Sequence, residues 1–409
     1  MSIKLSVCMI VKNEENFIES SINNFLDYVD EIIVIDTGST DKTLTILESW
    51  CKVTSKIKLF NFDWVDDFSA ARNYSLSKAT GDWIFVIDPD EYVEEKELKN
   101  LKKKLSSTAL SGFQIIQRTY TNNSDQTSWR SVDPNYQFSK GFFGYFDTPI
   151  TRIFKNNSQF QFQGKVHEDI TPSIREQKEP LIKSDLVFHH YEYSRGKDFV
   201  KDKQLYYLNL TLKKIKDNPH EPKSYADAGI IYYTYKGNFE KALYYFNEAL
   251  KVDEKYAMAY NYIAKILSEK GLKQEAIKKL EEGIALGLEN DTIFVNLGVI
   301  YMGQGKLDAA KEMFKKAIGL NSSRAAPHYN LGLIFLKQEQ FVEAKDEFKM
   351  ALRLNPMDAR AYLYLAKIYS LIDQPKKAIH YYQILIDGDH PDKANLIKLV
   401  NDLKNKIYK

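Results

Sequence analysis

Two hydrophobic periodicities divide this chain of 409 residues. Up to about residue 190, short Val/Ile-rich runs alternate with segments whose apolar positions recur every three or four residues. The runs 5–11, 31–36, 58–62 and 83–88 predict strands, and 14–25, 41–50 and 68–79 predict helices between them. This alternation predicts an α/β fold built on a doubly wound, mostly parallel sheet. Later runs at 113–118, 150–154 and 181–189 predict further strands, and 195–216 a joining helix. Leu98, Leu101 and Leu105 fall on one helical face, which leaves Lys102, Lys103 and Lys104 as its solvated side.

From residue 223 the pattern becomes a repeat. The segments beginning at 236, 270, 304, 338 and 372 are spaced by 34 residues and end on Ala242, Ala276, Ala310, Ala344 and Ala378. Four positions on stand Phe246, Leu280, Phe314, Phe348 and Tyr382. A small side chain lets two antiparallel helices approach, and a large one a turn later fills the next gap. Period and pattern resemble the tetratricopeptide repeat (TPR), which implies an all-α solenoid. The organisation expected is an α/β domain at 1–194, a linking helix at 195–222, five repeats at 223–392 and a closing helix at 393–409.

Charge changes this picture little. Lys+Arg 57 against Asp+Glu 55 leaves a net charge of +2, so nothing in the balance calls for nucleic acid. Cys8 and Cys51 are far apart and lack metal-site spacing; Cys8 reads as a core residue, and the pair fits a reducing compartment. No apolar run approaches the roughly 20 residues that span a bilayer, so no transmembrane segment is expected. The expected location is the cytoplasm, with peripheral membrane contact and oligomerisation left open.

Chemistry concentrates at strand ends, where ligands of such sheets bind. The run 31–36 ends on Asp36, followed by Thr37-Gly-Ser-Thr-Asp41, and the run 83–88 ends on Asp88-Pro-Asp-Glu91. Each acid reads either as a turn cap or as a site residue. Two carboxylates on one turn suit a hard cation, Mg²⁺ or Mn²⁺, shared with a diphosphate. An aromatic and glycine-rich segment, 128–148, reads either as a lid over a sugar or as a satellite core.

The motifs Val7-Cys-Met-Ile-Val-Lys-Asn-Glu-Glu15, Asp36-Thr-Gly-Ser-Thr-Asp41, Asp66-Asp-Phe-Ser-Ala-Ala-Arg-Asn73 and Asp88-Pro-Asp-Glu91 stand in that order. Gly164-Lys-Val-His-Glu168 and His189-His-Tyr-Glu-Tyr193 follow. The series resembles family 2 glycosyltransferases of the GT-A fold, in the sublancin-type S-glycosyltransferase branch that often carries a TPR tail. The resemblance implies a nucleotide-sugar donor, a UDP-sugar first, held by Val11, Asn13, Glu14, Asp36, Arg72, Asn73 and Asp88. It implies Asp90, Asp88 and His190 as metal ligands, and a base from Glu168 or His167, with the family's acidic habit pointing to Glu168. Arg152 reads either as a diphosphate contact or as a surface ion pair. Glu192 stands where the family has Gly, which leaves the choice between His189 and His190 open.

The function expected is inverting transfer of a sugar to a hydroxyl or thiol of a polypeptide or glycan, with the repeats recruiting the acceptor. Two other readings are a TPR adaptor with an inactive catalytic domain and a transferase building cell-surface glycans.

Overall fold

The computed structural model describes residues 3–106, 110–122, 129–132, 136–356, 358–387 and 392–407. The chain forms two compact units, one running to Pro219 and one from His220 onward, with the short 130–133 segment grouped with the second.

In chain order the elements to residue 217 are β1 (Leu5–Val11), α1 (Ile18–Phe25), β2 (Glu31–Asp36), α2 (Thr43–Val53), β3 (Ile57–Asn61), α3 (Phe68–Lys78), β4 (Trp83–Val86), β5 (Glu91–Val93), α4 (Glu95–Ser106), β6 (Gly112–Tyr120), β7 (Arg130–Ser131), β8 (Gly144–Lys155), α5 (Thr171–Glu176), β9 (Leu181–His190) and α6 (Lys197–Asp217). The sheet order is β3-β2-β1-β4-β8-β6-β9-β5. The first four strands pair in parallel, while β8 runs antiparallel to β4 and β6, and β5 antiparallel to β9. The sheet is therefore mixed, with its parallel half first. Alternation along β1 splits the core: Val7, Met9 and Val11 pack under α1, α2 and α4, while Cys8 faces the opposite layer beside Ile174 of α5 and Tyr74 of α3. Burial pushes the Cys8 thiol up to about 12, as befits a core residue.

The helix expected as a joint belongs to this first unit. Val200, Leu208 and Leu210 of α6 are buried, and Tyr206 and Lys213 both bond Asp66 ahead of α3.

The second unit contains the helix pairs α7 (Pro222–Thr234) and α8 (Phe239–Val252), α9 (Ala257–Glu269) and α10 (Lys273–Ala285), α11 (Asp291–Gly303) and α12 (Leu307–Leu320), α13 (Ala325–Lys337) and α14 (Phe341–Leu354), and α15 (Ala359–Leu371) and α16 (Pro375–Asp387), then α17 (Lys393–Ile407). The small–large rule acts as steric lock. A Cβ on Gly298 would lie 2.6 Å from the Phe314 ring, and one on Gly332 2.9 Å from Phe348. The turn inside each pair needs one left-handed residue: Gly237, Gly271 and Gly305 fill it first, then Glu339 at φ 58° and Asp373 at φ 53°. Among the described residues no helix is long and apolar enough to cross a membrane.

Candidate functional site

Two ion networks form beyond the carboxyl ends of β1, β2 and β4. The first centres on Asp88. Arg72, buried on α3, bonds Asp88 Oδ1 and donates from Nε to Glu168 Oε1 at 3.2 Å. Arg152 of β8 donates to Asp88 Oδ2 at 2.8 Å. Burial works to raise the Asp88 carboxyl, and the two guanidiniums outweigh it and hold it far below the usual range. Each Asp88 oxygen thus already accepts from one arginine and keeps a lone pair for a further contact, while Asp90, not Asp88, is the acid that meets His190. Arg152 is part of the buried network, not a surface pair. Among the described residues, Arg72 Nη1 is buried and finds no hydrogen-bond partner, an unspent donor inside the cluster.

The second network centres on Asp90. The pairing of β5 with β9 sets Glu91 opposite His190 and thereby brings Asp90 to that histidine. His190 Nε2 lies 3.7 Å from Asp90 Oδ1, and its Nδ1 is 3.0 Å from Thr119 Oγ1, a contact that orients the ring. Arg195 donates from Nε to Asp90 Oδ2 at 3.0 Å and from Nη2 to Glu14 Oε2 at 2.7 Å. Its guanidinium lies over the rings of Phe17 and Phe199, at 4.3 and 4.9 Å from their centroids. Burial pushes Glu14 up to about 7, against the pull of Arg195. Glu91 accepts from the Asp88 backbone N–H at 2.8 Å and so braces the turn that carries Asp88 and Asp90.

These residues meet a cation only in part. Among the described residues no cluster of three His, Cys, Asp or Glu could hold a metal ion. Asp90 Oδ1 and His190 Nε2 nevertheless face one another, with Arg195 confined to the other Asp90 oxygen. Two protein ligands fit Mg²⁺ or Mn²⁺ when phosphates and water complete the shell.

The remaining expected residues stand elsewhere. Asn13 and Asp36 knit two loops: Asn13 Oδ1 accepts from Thr40 N at 2.7 Å, and Asp36 Oδ2 from Gly38 N at 2.9 Å, the turn-cap role open to it from the start. Val11 is buried at the end of β1. Asn73 spends both ends of its amide on the backbone of Phe162, at 3.0 and 2.8 Å, and so anchors the 156–168 segment instead of facing a ligand. That segment turns through Gly164 (φ 97°) and His167 (φ 56°) and delivers Glu168 to Arg72. A left-handed histidine is uncommon and costs strain, a feature concentrated at functional turns. His167 is exposed, and its ring meets Tyr207 edge-on at 6.2 Å.

His189 points away from His190. It is fully buried, stacked on Phe138 at 4.4 Å, with Nδ1 2.8 Å from Tyr120 Oη. Tyr136 and Phe138 of the aromatic segment pack against it as part of a satellite core; Ser128 and 133–135 of that segment lie outside the described residues.

Sequence reasoning missed Arg195, Lys203 and Tyr207. Lys203 of α6 donates to Glu192 at 2.8 Å, which gives the residue in the family's Gly place a partner. The signal available was the four-residue spacing of Phe199, Lys203 and Tyr207 on one helical face.

Residues 6–167 match the model of Glycosyl transferase family 2, and 230–287 and 301–368 match tetratricopeptide repeat models. The chain carries a family 2 glycosyl transferase domain followed by TPR repeats. Over 200 residues it is 32% identical to a TPR repeat-containing protein of Synechococcus elongatus, covering 47% of this chain and 43% of that one. Over 216 residues it is 27% identical to the SPbeta prophage-derived glycosyltransferase SunS of Bacillus subtilis, covering 53% of this chain and 46% of that one. A lipopolysaccharide core biosynthesis glycosyltransferase, LpsC of Rhizobium meliloti, is 25% identical over 178 residues, covering 41% of this chain and 57% of that one. The chain spans less than half the length of the first two relatives.

Proposed function

We propose that this chain is an inverting glycosyltransferase that moves a sugar from a nucleotide-sugar donor, a UDP-sugar first, to a hydroxyl or thiol of an acceptor held by the repeats. The observation that carries the reading is the convergence of Glu168, the Asp88–Asp90 turn and His190 from three separated segments of a family 2 domain, with buried Arg72, which keeps an unspent N–H, joining Asp88 to Glu168. A relic with no catalytic duty has no need to keep strained backbone at His167 and paired charge at Asp88 and Asp90.

Val11, Asn13 and Asp36 shape the β1 and β2 ends that receive the base and ribose. Asp88, fixed by Arg72 and Arg152, is a rigid acceptor for ribose hydroxyls. Asp90 and His190 would hold Mg²⁺ or Mn²⁺, which would supply positive charge beside the leaving diphosphate. Arg72 grips one oxygen of Glu168, and the other takes the acceptor proton as the acceptor atom attacks the anomeric carbon. That carbon's bond to the diphosphate breaks, and the proton remains on Glu168. His167, at the mouth beside Tyr207, contacts sugar or acceptor. A polypeptide acceptor suits a TPR groove; the likeness to a lipopolysaccharide glycosyltransferase keeps a glycan as the other class. The proposed site of action is the cytoplasm.

The test is release of nucleoside diphosphate from a panel of UDP-, GDP- and dTDP-sugars with Mn²⁺ or Mg²⁺. One donor is expected to respond, and silence across the panel overturns the enzyme in favour of an adaptor. With a responding donor, Glu168→Gln is expected to lower the single-turnover rate on a hydroxyl acceptor by about 10² to 10⁴ while donor affinity stays at the parent value. An unchanged rate removes Glu168 from the chemistry.

A further inference from the structure

Four cations surround the site, and they are not equivalent. Arg72 is shared between Asp88 and Glu168, Arg152 is bound to Asp88, and Arg195 is shared between Asp90 and Glu14. Each is a rigid planar fork committed to carboxylates that the turn geometry fixes. Lys203 differs. It is a point charge on a flexible four-carbon stem, its side chain 29% exposed, giving one N–H to Glu192 at 2.8 Å. An ammonium carries three donors, so two remain for a ligand.

Its position follows from helical spacing. Phe199, Lys203 and Tyr207 lie at i, i+4 and i+8 and form one stripe along α6. At the start of the stripe, Phe199 covers Arg195, the counter-charge of Asp90. At its end, Tyr207 meets the ring of His167, next to Glu168. Lys203 sits between, 5.6 Å from the centroid of Tyr207. Lys203 thus stands between the end of the stripe tied to Asp90 and the end beside Glu168, within electrostatic reach of Asp90. Burial works to lower the Lys203 ammonium, and Tyr207, Glu192 and Asp90 together hold it above its ordinary value, so it stays charged through the neutral range.

We infer that Lys203 is the side chain that meets the phosphate oxygens of the departing nucleoside diphosphate, and that Glu192 parks it while no donor is bound. The inference rests on the glycosyltransferase reading. Exchanging a carboxylate partner for a phosphate keeps the ammonium paired throughout, so the transfer of Lys203 costs little. Negative charge grows on the phosphate oxygens as the bond to the anomeric carbon breaks, so the contact strengthens in the transition state.

The experiment compares the full-length parent with Lys203→Met, Lys203→Arg and Glu192→Gln. Calorimetry with Mn²⁺ measures UDP, GDP and dTDP against their matched nucleosides, and donor hydrolysis gives kcat and KM separately. Lys203→Met is expected to weaken the nucleoside diphosphate about 10- to 100-fold, the worth of one charge-assisted hydrogen bond, while the nucleoside binds as in the parent. Its kcat should fall by at least as much, with arginine restoring part of both. Glu192→Gln releases the parked ammonium and should tighten the diphosphate a few-fold. A variant damaged only in folding would lose nucleoside and diphosphate together, and that result overturns the assignment. So does a Lys203→Met enzyme that binds diphosphate and turns over like the parent. A parent that binds no nucleoside diphosphate overturns the glycosyltransferase reading and this assignment with it.

Discussion

The two units obtain their order in opposite ways. In the repeats the packing contacts fall within about one 34-residue period, so Gly298 meets Phe314 and Gly332 meets Phe348 at the same 16-residue separation. In the first unit the site gathers Glu14, Arg72, Asp88, Asp90, Arg152, Glu168, His190 and Arg195 across some 180 positions. Local repetition makes a solenoid tolerant and its damage contained. Long-range assembly makes a site whose parts fail together.

The largest expected stability effect tests the containment. Phe314→Ala removes the ring that fills the gap over Gly298 and should cost about 3 to 5 kcal/mol. The loss should appear as early unfolding of the repeats in denaturant, with donor hydrolysis untouched. Equal loss of donor hydrolysis breaks the comparison.

A smaller effect probes the first unit through pH. Burial pushes His189 down to about 4, from about 6.5 in the unfolded chain. Between those values the unfolded state binds the extra proton, so stability falls as pH drops from 6.5 toward 4, by about 2 kcal/mol at pH 5. His189→Phe has no ring to protonate and should lack this loss. Denaturant titrations at pH 7.5 and pH 5 settle it, and equal slopes in parent and variant would show that His189 is not held neutral.

The smallest effect is a gain. Glu339 and Asp373 occupy the left-handed turn position that Gly237, Gly271 and Gly305 fill in the earlier repeats. Glu339→Gly and Asp373→Gly should each add about 1 kcal/mol, read as a rise in the unfolding midpoint of the repeats. A fall at both positions would mean that the side chains do more than the backbone preference, and the repeat rule would lose its reach.

The same contrast explains what the sequence disclosed. The runs at 5–11 and 31–36 are mostly apolar, buried central strands and coincide with β1 and β2, and the repeats declare themselves by phase. The three residues of β5 are too few to show a period, yet their pairing with β9 brings Asp90 to His190. The family resemblance set both residues in one metal-ligand group, but no periodicity showed the strand pairing that brings them together. Asn73 shows the converse, a residue in a recognisable motif whose amide is spent on Phe162. Lys203 was hidden because a lysine in a charged helix reads as solvated surface until the neighbours of its face are known.

One feature of α6 bears on how such chains are assembled and reshuffled. A splice at residue 195 would separate Lys203 and Tyr207 from the domain that uses them, and would leave Asp66 without its contacts from Tyr206 and Lys213. A splice after Pro219 carries every element of the first unit intact. Grafts that join this glycosyltransferase domain to a foreign repeat array should therefore be cut at the later point, where the α/β unit and the repeat array become exchangeable parts.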